Sequence, residues 1–160
     1  MRRKSVALVV ATALVGSGVL IGAMLPAASQ QATTIRLYER QRKGFEKFIN
    51  VDGKKSMAGD YILESHSVYR VGTKRKVGRD AATITLIRRL GKQDALFRAA
   101  ATFVLPTGRV EVSGLSKASR LAKGAPFAVI GGTGAYQGAT GTLTVREGKY
   151  RTFFTFRLNP

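Results

Sequence analysis

The chain has 160 residues, with 27 Lys and Arg against 9 Asp and Glu for a formal net charge of +18, and it contains no cysteine. That length fits one ordinary domain, and the missing cysteines exclude disulfides, thiolate metal centres and a lipidated cysteine anchor. The charge makes polyanions the natural surface partners: nucleic acid, cell-wall polymers or anionic lipid head groups.

Residues 1–29 read as a secretory signal. Arg2, Arg3 and Lys4 precede an uncharged apolar run from Val6 to Leu25, then Pro26 and the small residues Ala27, Ala28 and Ser29. Charged, apolar and small-residue regions in that order predict export with cleavage after Ser29. The alternative is an uncleaved anchor, since roughly 20 apolar residues can span a bilayer. Gly16, Gly18 and Gly22 dilute the run, and Pro26 breaks it before the small residues. Loss of three basic residues leaves 24 against 9, a charge of +15 on the exported part.

Downstream the period is two, which predicts strands. Residues 30–56 form an arm and the first strand or strands, where "TIRLYERQ" sets Leu37, Glu39 and Gln41 on one side. Residues 57–160 supply the remainder of the domain. "YILESHSVYR" puts Ile62, Glu64, His66 and Val68 on one face, and "AATITLIRR" does the same for Ala82, Ile84 and Leu86. "LFRAAATFVL" runs into "PTGR", whose Pro106 and Gly108 predict a hairpin to "RVEVSG". "PFAVIG", "TLTVRE" and "YRTFFTFRL" complete the set, the last with Phe154, Phe156 and Leu158 on one face. Eight or nine short strands with no long amphipathic helix predict an all-β sandwich or barrel.

The glycine stretch "GGTGAYQGATG" has no Gly-Lys-Ser/Thr phosphate loop, and its G-x-G-x-x-x-G spacing misses the dinucleotide fingerprint. Directly after it, "TLTVRE" has the alternation of a strand, where a dinucleotide fold needs a helix N-terminus. The stretch therefore predicts a glycine turn between two strands, and no cofactor is expected. His66 is the only histidine, and a lone histidine without cysteines builds no zinc-type cluster, so no metal is expected either. The basic residues are scattered; the dense run Arg70–Arg79 carries no aromatic and Arg40–Lys55 only Phe45 and Phe48, short of a stacking platform, which counts against specific nucleic-acid reading.

Four segments in order resemble the allene oxide cyclase barrel family and its dirigent relatives: "MAGDYILESHSVY", "KRKVGRDAATITLI", "FAVIGGTGAYQGATGTLTV" and "YRTFFTFRL", spanning Met57 to Leu158. "LYERQ" extends the likeness upstream. The resemblance implies an eight-stranded antiparallel β-barrel with an apolar interior, commonly a trimer. In the family such barrels steer the cyclisation of an epoxide or orient phenoxy radicals for coupling. The family's glutamate falls on Glu39, and its two water-holding asparagines fall on Gln41 and His66. Its Ser-Pro pair falls near Lys47 and Phe48, which do not match. The resemblance thus implies Glu39, Gln41 and His66 as catalytic candidates, in an isomerase of the intramolecular cyclase kind if the protein is an enzyme. Ile62, Glu64, Ile84, Leu86, Phe154 and Phe156 are the ligand-binding candidates, for a small apolar or aromatic ligand. The competing expectation is a non-enzymatic basic barrel held by an anionic envelope or extracellular polymer.

Overall fold

The computed structural model describes residues 32–53, 58–92 and 94–159; the expected signal segment lies outside them. Eight strands in chain order form a closed antiparallel barrel: β1 (Thr33–Ile49), β2 (Tyr61–Arg70), β3 (Lys76–Arg89), β4 (Ala95–Leu105), β5 (Gly108–Lys117), β6 (Ala125–Gly132), β7 (Thr140–Glu147) and β8 (Arg151–Asn159). Each strand pairs with its chain neighbour and β8 closes on β1, from Thr33↔Leu158 to Arg40↔Arg151. Closure leaves no free sheet edge, so every strand has a partner on both sides. The barrel expected from the alternation and the resemblance is the one observed.

One end of the barrel is packed solid. Phe103 and Phe156 meet edge to face at 4.9 Å between ring centroids, and Leu37, Val68, Val110, Leu143 and Leu158 fill the space around them. The Pro106-Thr107 hairpin and the glycine stretch lie at this end. Gly134–Tyr136 makes one 3-10 turn there, and the Ala135 amide donates to the Thr107 carbonyl at 2.9 Å. Gly134 has φ +61 and its absent Cβ would overlap that same carbonyl, so only glycine fits. The glycine stretch is thus a structural seal, remote from the open end.

At the open end the strands carry less bulk. Inward positions on β3 and β4 hold Ala82, Ala99 and Ala101, while Gly114 on β5 gives its space to the Phe127 ring. A short helix, α1 (Ala118–Leu121), sits at the rim with Ala118 and Leu121 lining the interior. Asp94 holds it there: its carboxylate accepts from the Ser119 amide and hydroxyl, each at 3.0 Å. Small inward residues between the packed floor and this rim leave a cavity of about 540 Å³.

Strand β1 is longer than the "TIRLYERQ" reading and contains an irregularity. Its pairing with β2 moves from Glu39↔Val68 to Gly44↔His66, five steps along β1 against two along β2. Three extra residues are an odd number, and side chains alternate with period two, so the inward face changes parity. Leu37, Glu39 and Gln41 point inward before the irregularity; Gly44, Glu46 and Phe48 occupy that face after it.

Candidate functional site

Where the packed floor meets the cavity, three strands bring together three polar groups. Glu39 from β1 and His66 from β2 are each 6% exposed, and Asp80 from β3 is 5% exposed. Between the β2–β3 rungs Glu64↔Ala82 and Ser67↔Arg79, the His66 amide donates to the Asp80 carboxylate at 2.6 Å. Ser65 Oγ donates to the Asp80 backbone carbonyl at 2.7 Å. These two bonds fix the backbone behind the imidazole. In front of it stands Gly44, at which a Cβ would overlap the His66 ring. The β1 irregularity therefore has a local purpose: it sets a residue without a side chain opposite His66.

The imidazole Nδ1 faces Glu39 Oε2 at 3.3 Å and Asp80 Oδ1 at 3.9 Å. Neither Glu39 Oε2 nor His66 Nδ1 has a partner in full hydrogen-bond geometry. Burial raises the Glu39 pKa to about 9, helped by the neighbouring Asp80 charge and opposed by a hydrogen bond with Thr152. Glu39 accordingly keeps its proton at neutral pH. Glu64, two positions before His66 on the same strand face, rises to about 7, chiefly by burial and then by the charges of Asp80, Glu46 and Glu147. Burial also raises Glu147.

Donor atoms of Glu39, His66 and Asp80 lie within 4.8 Å of one another, close enough to converge on one small cation. The sequence argument against a metal weighed only histidine and cysteine and left the carboxylates out. In the folded chain the Asp80 oxygen nearest the imidazole is already taken by the His66 amide. The other Asp80 oxygen takes no part in that bond, so Asp80 still offers a donor beside Glu39 and His66.

The structure brings Glu39, Gln41 and His66 to one cavity. Ile62, Glu64, Ile84, Leu86 and Phe154 line it too, whereas Phe156 is fully buried in the floor and packs beside it. Sequence reasoning missed Asp80, Glu46, Asp60 and Glu147. For Asp80 the signal was present, because running the Ala82, Ile84, Leu86 alternation back two residues lands on it. Glu46 carried no such signal, since its direction depends on the irregularity in β1.

Comparison with known proteins agrees with this architecture. Residues 47–156 match the model of the allene oxide cyclase barrel like domain. The chain belongs to that family. No curated protein matches the sequence. Among solved structures, a pyocyanin demethylase superposes with a TM-score of 0.67 at 20% identity, over 79% of this chain and 100% of that one. The Diels–Alderase AbmU from Streptomyces koyangensis gives 0.59 at 14%, over 84% and 72%. A pterocarpan synthase dirigent protein gives 0.65 at 11%, over 88% and 95%. At these identities the three share the fold with this allene oxide cyclase-like chain. The functions their names give differ from one another, so the likeness carries the fold and not a chemistry.

Proposed function

We propose that this barrel captures a small apolar or aromatic molecule in its open end and steers a ring closure or coupling, with Glu39 as the proton donor. The observation that carries the reading is a buried carboxyl, held protonated at neutral pH, at the floor of a cavity lined mostly by apolar side chains. A donor with a pKa near 9 delivers its proton to an oxygen that becomes basic as bonds reorganise and takes one back from the substrate as the ring closes, so the isomerisation leaves Glu39 as it began. Gln41 and His66, in the same cavity, hold a ligand oxygen or a water. Shape does the rest: Phe97, Phe127 and Phe154 line an apolar space in which a flexible substrate folds into a reactive geometry. The reaction class is an intramolecular isomerisation, or a coupling of radicals made elsewhere. The amino-terminal signal pattern supports a site of action outside the cytoplasm.

Native mass spectrometry of the protein purified from its own culture medium tests the proposal. The expected result is a retained small molecule that is absent from an Ala101→Leu variant with a filled cavity. An empty wild-type barrel, together with no effect of filling the cavity on any conversion, would overturn it.

A second reading rests on the outer surface. Tyr38, on the outside of β1, stacks on Tyr69 at 5.4 Å and packs against Phe153. Arg151 lies over Tyr38, Arg40 over Tyr69 and Arg146 over Phe153, at 4.8 to 4.9 Å. Among the described residues none of these three arginines is in an ion pair with a carboxylate. Guanidiniums fixed on aromatic faces without acidic partners suit a polyanion, which favours attachment to an anionic envelope polymer.

A further inference from the structure

The acidic residues of this basic protein are distributed unevenly. The whole chain has 9, and six of them, Glu39, Glu46, Asp60, Glu64, Asp80 and Glu147, line this cavity. Among the described residues no lysine or arginine lines it, and His66 is its only basic side chain. The alternation that turns Glu39 inward turns Tyr38 and Arg40 outward, and on β7 it separates Glu147 from Arg146 in the same way. Glu46 and Glu64 stand directly opposite each other on β1 and β2, an arrangement that repels when both are charged. The remaining lining is mostly apolar and includes the rings of Phe97, Phe127 and Phe154.

We propose that the ligand of this cavity is an organic cation with an aromatic body: a protonated amine or an alkylated ring nitrogen. The inference rests on the ligand-capture reading above and names the charge of what is captured. Both kinds of lining favour such a molecule. Glu39 is neutral, so Glu46, Glu64, Asp80 and Glu147 supply the countercharge, and the phenylalanine faces attract a cation as well as covering its apolar part. Two unpartnered buried atoms, Glu39 Oε2 and His66 Nδ1, offer directional contacts to an N–H at the floor. A ligand carrying a carboxylate is disfavoured here, because it would enter a cavity that already lacks positive charge.

Three probes of one shape and different charge test the proposal: 1-naphthylmethylammonium, 1-naphthalenemethanol and 1-naphthoate. Binding to the purified protein is followed by calorimetry at neutral pH, moderate salt and with EDTA present. The expected order is the ammonium at least tenfold tighter than the alcohol, with the naphthoate weakest. The basic exterior attracts anions, so this order can arise only inside the barrel. Glu64→Gln should narrow the gap between ammonium and alcohol several-fold, and Glu147→Gln, nearer the rim, serves the same purpose should the first variant fold poorly. Equal binding of ammonium and alcohol, or tightest binding of naphthoate, overturns the charge preference while leaving ligand capture standing. If none of the three binds, the capture reading falls and the charge preference with it.

Discussion

Glu39 and Gly44 show how single residues set the site. Burial keeps the proton on Glu39, and 3.3 Å separates it from His66 Nδ1. Glu39→Gln keeps the size and loses the transferable proton, so the variant should retain ligand yet lose turnover by roughly 100-fold or more, a typical general-acid contribution. Native mass spectrometry and a conversion assay on the same sample check both halves, and an unchanged rate would remove Glu39 from the mechanism. At Gly44 a methyl group has nowhere to go but into the imidazole or the Ser65 carbonyl. Gly44→Ala should cost about 1–3 kcal/mol, the usual penalty for overpacking, read from urea unfolding.

At the scale of elements, β4 and α1 decide what the cavity admits. Strand β4 reads Phe97, Ala99, Ala101, Phe103 along its inward face, two rings flanking two methyls, and those methyls create the free volume. Ala101→Leu should abolish retention of the ligand while leaving the melting temperature equal or higher, because the added carbons fill existing space. A lowered melting temperature would mean that the cavity wall is already close-packed there. The helix α1 depends on Asp94, whose carboxyl sits below its usual pKa because Ser119 donates to it. Asp94→Ala should loosen the rim, seen as faster amide exchange confined to residues 118–121.

The molecule as a whole separates charge by side, acids in and arginines out, and each side has a measurable signature. Glu39 at about 9 and Glu64 at about 7 both lie above the ordinary 4.5, so the folded chain holds protons that the unfolded chain has lost. Stability therefore falls as pH rises above 4.5, Glu64's share ending near 7 and Glu39's near 9, at no more than about 1.4 kcal/mol per pH unit for each proton. Urea unfolding at pH 5, 6 and 8 should show this decline, and Glu39→Gln should flatten its upper part. On the outside, an Arg146→Ala, Arg151→Ala double variant should elute from a heparin column at lower salt than wild type. Unchanged elution would show that the aromatic-stacked guanidiniums do not contact the polyanion. Leu115 and Ile130 are exposed on the outer sides of β5 and β6.

Period-two alternation is a local property, so the sequence by itself determined the strands and which residues share a face: Leu37 with Glu39, Ile62 with Glu64 and His66, Ile84 with Leu86. Alternation left sandwich and barrel both open, and it was the family resemblance that pointed to the barrel. Likewise "GGTGAYQGATG" could be read as a turn, because phosphate loops need a lysine and a helix that are not there. Register was beyond that reach. The three extra residues in β1 flip the inward face partway along one strand, and nothing in "RQRKGFEKF" marks where the flip falls. Only the closed barrel decided that Gly44 would make room for His66, that Asp80 would tie down its amide, and that Glu46 and Glu147 would join Glu64 around one cavity. Those contacts join residues from different strands, and both a side chain's surroundings and the face that turns inward are set by the pairing of the whole sheet at once.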